Sequence, residues 1–584
     1  MISETAPLTA ASKARLPVKL PVWRARGVLI LLLSAFLVLL GRAVYLQGVN
    51  QDFLRQKGDA RSTRVIVLNA SRGKILDRNN QPLAISSPVE SVAASPRDVE
   101  IDTAHLIRLA RLIDVKPAEL KKKIDDGRDF IYLKRQLPPD LAEKVLKLDI
   151  PGIFLQREYR RYYPDGDVTA HILGFTDIDD NGQEGAELAF NSELAGQSGS
   201  RKVLKDRLGN IVEGVESIRA PQEGQDITLS IDTNIQYLAY RELTAEVSAT
   251  HAKAGAVVVL DAKTGEILAL FNQPTYNPNN RTKNMKPNLI RNRVVTDIFE
   301  PGSTLKPFTA AFALESGHFK PDTVIATDGG HLSIGPATIH DDEPSSALTV
   351  AQVIQKSSNV GAAKMALSLS PEYMHAGFVK LGLGQLPHSG FPGEVSGRLR
   401  PYQHWRPIEQ ATMAFGHGIS VSLLQLARAY TVFASDGKLR NISFLKQAQP
   451  LPSQRVFSAS TALAVRRMLE LVVQPGGTAP RAQVLGYSVA GKTGTAHKVD
   501  ARGGYSPNKY VASFVGFAPA SDPRLIIAVM IDEPSAGQYY GGQVAAPVFS
   551  RIMAGALRQL AVPPDMPTNV APLPASVPEV REQT

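Results

Sequence analysis

The chain has 584 residues, 43% of them hydrophobic, enough for more than one globular unit with a core of its own. Its 65 basic and 55 acidic residues leave a net charge of +10, and no arginine-rich run interleaved with aromatics suggests nucleic acid. Cysteine is absent, which excludes thiol catalysis, disulfides and cysteine-ligated metals; the 11 histidines form no HExxH or other spaced pair, so neither a metal nor a cofactor is expected.

Residues 1–26 read as a basic leader, with Lys13, Arg15, Lys19, Arg24 and Arg26 against Glu4. Residues 27–46 are apolar and as a helix would be about 30 Å long, enough to cross a bilayer. Arg42 can snorkel to the headgroups, with Trp23 and Tyr45 at the interfaces. Positive charge ahead of the helix predicts a cytoplasmic N-terminus and export of the rest. A cleaved signal peptide is the competing reading, but its one small-x-small site, Gly41-Arg-Ala43, has an arginine inside it.

Residues 47–225 read as an elongated, mixed α/β region without a nucleophile–base pair, hence a structural pedestal. Two segments stand out in it, Arg72–Ala84 and Arg160–Phe175, the second continuing to Glu187. Arg72, Asp77, Arg78, Arg160, Arg161 and Glu187 would form either an internal ion-pair network or ordinary surface charge.

A further domain spans residues 226–562. A short strand is expected at Ile227–Ile231, an amphipathic helix at Asn234–Val247, and a hairpin from Ala256–Leu260 to Glu266–Leu270 around Asp261–Gly265. A largely helical stretch from Ser303 to Val473 follows. Strands return at Ser488–Ala496, Ser513–Phe517 and Leu525–Ile531, before a closing helix at Val548–Leu560. The sheet is thus assembled from both ends of the domain around a helical insert. Residues 563–584 are proline-rich and expected to be disordered.

The chemistry is organised around Glu300-Pro-Gly-Ser-Thr-Leu-Lys-Pro-Phe308. Ser303 and Lys306, three apart, share a helical face, which makes Lys306 a candidate base for the Ser303 hydroxyl. Pro307 suits a first helical turn, so a helix is expected from near Thr304 with Ser303 at its mouth. There the helix dipole favours developing negative charge. The four-residue pattern also occurs at Ser71–Lys74 and Ser443–Lys446, so it needs company. Ser357-Ser-Asn359 and Lys492-Thr-Gly-Thr495 supply it. Their duplicates, Ser506-Pro-Asn508 and Lys263-Thr-Gly265, fall between two strands and in a hairpin turn ahead of the nucleophile.

Phe299–Ser303, Gln355–Gly361, Gly491–Ala496 and Tyr539-Tyr-Gly-Gly542 together resemble class B penicillin-binding proteins. With the anchor, Arg72-Gly, Asp77-Arg78 and Arg160–Pro164, the chain is most similar to the division-specific septal D,D-transpeptidase, the FtsI type. The resemblance implies an α+β multidomain chain: one transmembrane helix, a pedestal of the dimerisation type, and a transpeptidase domain with an antiparallel sheet between helices, as in serine β-lactamases. It implies that Ser303 attacks the penultimate D-alanine of a peptidoglycan stem peptide, that D-alanine leaves, and that a neighbouring stem's amine resolves the acyl-enzyme. Lys306 would serve as base, which requires surroundings that make its ammonium far more acidic. Ser357 would relay a proton, the alternative being that it merely caps a helix. Asn359 would donate to the substrate amide and hold Lys306. Lys492 and Thr493 would meet the terminal carboxylate, Gly494 would let the peptide lie close as an added strand, and Tyr540 would wall the cleft. The N–H groups of Ser303 and Thr495 would form the oxyanion hole.

The resemblance further implies β-lactams as acylating inhibitors, an inner-membrane location with a periplasmic catalytic domain, and a polytopic membrane glycosyltransferase and division proteins as partners. Departures are Asn79-Asn80 in the pedestal turn, the acidic His340-Asp-Asp-Glu343, and His497, where a basic residue is usual. The alternatives are a D,D-carboxypeptidase or β-lactamase-like hydrolase, a membrane-anchored β-lactam sensor, and an idle scaffold. No acidic motif is clearly placed as a deacylation base, and a short leader gives a sensor no signalling domain.

Overall fold

The computed structural model describes residues 21–49, 63–205, 211–281, 285–499 and 503–567. Residues 1–20 of the basic leader and the tail from residue 568 lie outside the described residues. Helix α1, Val22–Val44, runs through the apolar stretch without a single buried residue. The segment Val22–Gly48 contains an 18-residue window with a mean hydropathy of 2.4 and is long enough to span a bilayer. The Arg42 guanidinium sits 5.7 Å from the Tyr45 ring centroid.

The pedestal is built on the long strand Pro82–Ala94, which pairs antiparallel with Ile75–Leu76, Ile131–Leu137 and Ile153–Tyr162. A small apolar core between this sheet and the helices Thr103–Leu112, Pro117–Ile124 and Pro139–Leu146 gives its outer part independent support. A separate three-stranded sheet joins Thr63–Leu68, Gly199–Lys205 and Ile211–Arg219.

Three of the six charged residues form a buried cluster. Both carboxylate oxygens of Glu187 are taken, one by Arg72 Nε and one by Arg161 Nε, each at 2.6 Å. Arg72 also donates to the Glu187 carbonyl (2.8 Å) and to Asn191 Oδ1 (2.8 Å). The other three residues go elsewhere. Asp77 accepts from the N–H groups of Asn79 and Gln81 and from Thr233 Oγ1. Arg78 pairs with Glu266 at 3.4 Å, and Arg160 is exposed. Glu187→Gln leaves two buried guanidiniums facing one neutral amide, so it should cost about 3–5 kcal/mol, read as a lower urea midpoint.

The pedestal is welded to the next domain. The expected strand at Ile227–Ile231 is only Ile227–Thr228, and it pairs parallel with Ile75–Leu76 of the pedestal, not with the five-stranded sheet of the next domain. One continuous apolar core takes in Ile75, Leu83, Ile172 and Leu173 from the pedestal with Ile235, Leu270 and Val294 beyond it. His171 is buried at this junction. Its Nε2–H donates to the Leu289 carbonyl (2.8 Å), and its ring stands edge-on to Tyr276. Burial above all, with the nearby Arg293 charge, pushes it down to about 4. The unfolded chain therefore takes up a proton near pH 6.5 that the folded chain refuses until about pH 4. Stability is unaffected above that window and falls by about 3 kcal/mol as pH drops through it. Urea midpoints between these two pH values check this, and His171→Gln should flatten the dependence.

In the domain that follows, α2 (Thr233–Ala249) is capped by Asp232, whose carboxylate accepts from the N–H groups of Asn234 and Ile235. The hairpin strands β1 (Ala254–Asp261) and β2 (Ile267–Gln273) follow. The helical insert contributes α3 (Lys306–Glu315), α4 (Val350–Lys356) and α5 (Asn359–Leu367), and it also contains short two-stranded sheets. The chain then returns as β3 (Ala490–Val499), β4 (Tyr505–Ala518), β5 (Leu525–Asp532) and α6 (Ala546–Gln559). Ser506–Asn508 therefore lie within β4, not between strands. The sheet order is β2-β1-β5-β4-β3, antiparallel throughout. β1 and β5 are wholly buried because helices cover both faces: α2 and α6 on one, Leu423–Ala429 and Ala459–Val472 on the other. This is the expected α+β architecture. β3 forms the sheet edge, facing the insert. The first residues of the proline-rich tail are not loose: Asp565 accepts from Ser488 N–H (2.7 Å) and Ser521 Oγ (2.5 Å).

Candidate active site

Ser303 lies on a 3₁₀ turn, Gly302–Leu305, that leads into α3. The α-helix thus starts two residues later than expected, and Pro307 occupies its first turn, where the lost N–H has no intrahelical partner. The turn is fixed from three sides. Thr304 Oγ1 donates to the Pro301 carbonyl (2.7 Å), and Tyr430 OH donates to the Thr304 carbonyl (2.7 Å). Gly302 adopts φ +57°, and an added Cβ would come within 3.3 Å of the Thr495 carbonyl. Phe308 anchors α3 edge-on against Tyr430.

β3 lies directly against this turn. A Cβ on Gly494 would fall 2.7 Å from the Pro301 carbonyl and 2.8 Å from Thr304 Cγ2. The close approach that Gly494 permits is therefore to the Ser303 turn itself, a role that spacing alone did not reveal.

Three motifs converge on the Ser357 hydroxyl. Lys306 Nζ and Lys492 Nζ each donate to Ser357 Oγ at 2.9 Å, and Lys306 also donates to the Ser357 carbonyl. Lys306 is 1% exposed, Lys492 0% and Ser303 5%. Ser357 itself is a non-glycine residue at φ +62°, the left-handed end of α4. That conformation costs about 1–3 kcal/mol, and the lysines hold it in place. The capping alternative falls to its neighbour: Ser358 caps α5, its Oγ accepting from Gly361 N–H (2.9 Å). Ser357 is left to face the two lysines.

The remaining expected residues surround this centre. Asn359 Nδ2 donates to the His340 carbonyl (3.0 Å), and the bonds just described tie Lys306 to Ser357. Thr493 Oγ1 is shared between Lys492 Nζ (3.1 Å) and Thr478 Oγ1 (2.7 Å). Thr495 turns its hydroxyl toward Gly541 N–H (3.1 Å), leaving its backbone as the group of interest. Tyr540 is half-buried and accepts from Tyr539 OH (3.1 Å). Tyr539 in turn stacks on Tyr510 (4.2 Å), which meets His497 (4.5 Å), so one aromatic row borders the cleft.

Family models place this architecture. The penicillin-binding protein transpeptidase domain matches residues 255–554, and the penicillin-binding protein dimerisation domain matches residues 67–229. The probable peptidoglycan D,D-transpeptidase PenA of Neisseria gonorrhoeae is 48% identical over 553 residues, 94% of each chain. The chain belongs to the penicillin-binding proteins. The peptidoglycan D,D-transpeptidase FtsI of Escherichia coli K12 is 43% identical over 94% of this chain and 93% of its own. The apo transpeptidase domain of Burkholderia pseudomallei penicillin-binding protein 3 is 52% identical; it covers 58% of this chain and 98% of its own, with a TM-score of 0.54.

Two features of this penicillin-binding protein escaped the motif reading. The loop Gly416-His417-Gly418 reaches the Ser303 turn, with Gly302 N–H donating to the Gly416 carbonyl (3.3 Å). Burial, then the charges of Lys306 and His497, push His417 down to about 4, which keeps it a neutral neighbour of the cleft. Glu300, three residues before Ser303, accepts from Gly418 N–H (2.9 Å) and Tyr505 OH (2.9 Å), and burial raises its carboxyl above the ordinary range. Glycines flanking a histidine were the only sequence signal. Glu300 and Tyr505 are 205 positions apart and gave none.

Proposed function

We propose that this penicillin-binding protein is a serine D,D-transpeptidase that cross-links peptidoglycan stem peptides through an acyl-enzyme on Ser303. The observation that supports this best is the pair of buried lysines donating to the one Ser357 hydroxyl. Two ammonium groups within two hydrogen-bond lengths of each other repel, and burial removes the water that would screen them. Lys492, whose Nζ has three oxygen acceptors around it (Ser357 Oγ, the Thr493 carbonyl and Thr493 Oγ1), takes the cationic role toward the substrate's terminal carboxylate, and Lys306, one helical turn from Ser303, takes the role of neutral base. A neutral Lys306 takes the Ser303 proton as Oγ attacks the penultimate D-alanine carbonyl. The N–H groups of Ser303 and Thr495 stabilise the oxyanion. The proton then passes through Ser357 to the departing D-alanine, and the acceptor amine reverses the sequence. Thr493 orients Lys492, Asn359 receives the substrate amide, and Tyr540 borders the cleft. β-Lactams, which present a strained amide to the same hydroxyl, acylate Ser303.

Residues 47–225 then form the pedestal and residues 226–562 the transpeptidase domain, with α1 as a single-pass anchor. The basic leader favours a cytoplasmic N-terminus and a periplasmic catalytic domain, in the inner membrane at the division septum. A membrane glycosyltransferase and other division proteins are the partners this placement calls for.

The test is product analysis with the detergent-solubilised full chain on nascent peptidoglycan strands. Cross-linked muropeptides support transpeptidation, whereas trimmed, uncrosslinked stems alone would indicate a D,D-carboxypeptidase. Ser357→Gly probes the relay without straining the left-handed backbone. It should lower the acylation rate by about 10²–10⁴-fold, measured with a fluorescent penicillin, at nearly unchanged thermal stability.

A further inference from the structure

The hairpin just before the second motif carries two histidines directly opposite each other. Strands His331–Ile334 and Ala337–His340 pair antiparallel, with His331 facing His340. Their Nδ1 atoms are 2.8 Å apart and their rings stand nearly perpendicular, at 85°. Both residues are exposed, so neither is held there by a core. Nine positions apart, they follow no helical ligand spacing, which is why no metal site was expected from residue order.

We propose that His331 and His340 form a two-histidine chelate for a borderline divalent cation of the Zn²⁺ class. A 2.8 Å contact between neutral imidazoles requires one Nδ1–H to donate into the other's lone pair, so one lone pair already points into the gap. Moving the shared hydrogen to Nε2 of its own ring presents both lone pairs without releasing a proton. Zn–N bonds of about 2.0–2.1 Å at a tetrahedral angle place the two nitrogens roughly 3.4 Å apart. The pair must therefore open by about half an ångström, which exposed side chains at a hairpin's end can do.

Imidazole nitrogen selects Zn²⁺, Cu²⁺ or Ni²⁺ over Mg²⁺ or Ca²⁺. The nearby carboxylates are engaged. Asp341 accepts from Ser358 Oγ (2.5 Å) and Val360 N–H (2.9 Å), Glu343 pairs with Lys356 (2.8 Å), and Asp328 pairs with Lys364. No group of three or more potential ligands occurs among the described residues, so water completes the shell and binding is weaker than at a four-ligand structural site.

The hairpin is tied to the catalytic centre. The His340 carbonyl accepts from Asn359 Nδ2 (3.0 Å), and Asp341 holds the first turn of α5. A cation clamped across the hairpin's open end restrains the strand that positions Asn359, so occupancy changes the acylation rate.

The test uses the full chain in detergent without a polyhistidine tag, dialysed against Zn²⁺ and assayed for bound metal. Cu²⁺ in place of Zn²⁺ gives an electron paramagnetic resonance signal from nitrogen ligands. One equivalent should bind to wild type. Each of His331→Ala and His340→Ala should weaken it by about tenfold or more, and the double variant should lose the nitrogen signal. The double variant should still label with fluorescent penicillin, which shows that it is folded. Equal binding in wild type and double variant would overturn the site. A Zn²⁺-independent acylation rate in metal-loaded wild type would overturn the coupling to Asn359.

Discussion

Ser303→Ala is expected to abolish covalent labelling by fluorescent penicillin and all cross-linked product, while the protein unfolds at the same temperature as wild type. The loss in turnover should be on the order of 10⁶-fold, the scale on which acyl-transfer enzymes depend on their nucleophile. The fold does not need the hydroxyl. The turn that bears it is fixed by Thr304 on Pro301, Tyr430 on Thr304 and the fit of Gly302 and Gly494, none of which involves Ser303 Oγ. Alanine also suits a 3₁₀ turn entering a helix. Residual label that survives boiling in detergent would show that another residue is acylated, and Ser71 and Ser443, each followed by a lysine three residues on, would then be the first to examine.

Lys306→Met should reduce the acylation rate constant by about 10²–10⁴-fold, the usual contribution of a positioned general base. Methionine matches the length of the buried stem without its amine, so the packing around α3 is preserved while the Ser357 carbonyl and hydroxyl lose one donor. Thermal stability should fall only modestly, by about 1–3 kcal/mol, the usual cost of a buried acceptor left without its donor. Acylation lost by orders of magnitude in a protein that still folds distinguishes a catalytic amine from a structural one. A variant that acylates at the wild-type rate would transfer the base role to another group.

Much of this protein was readable from residue order alone, wherever the physics is local. An apolar stretch broken between Gly27 and Gly41 only by Ser34 dictates a helix that can span a bilayer, and α1 follows it. Alternating turn signals and apolar runs give the β1–β2 hairpin and the three returning strands, since strand pairing across a short turn needs only neighbours in sequence. The i, i+3 spacing of Ser303 and Lys306, and the order of the three motifs, likewise belong to the sequence. Tertiary structure decided what depends on residues distant in the chain. It chose Arg72, Arg161 and Glu187 for one buried cluster and sent Arg160 to solvent. It gave Ser358 the helix cap and left Ser357 to the lysines. It placed Ile227–Thr228 in the pedestal sheet, His417 beside the cleft and His331 against His340. Spacing encodes who shares a turn or a strand. Burial and charge pairing are settled only when distant segments meet and exclude water, and there the environment assigns each side chain its chemistry.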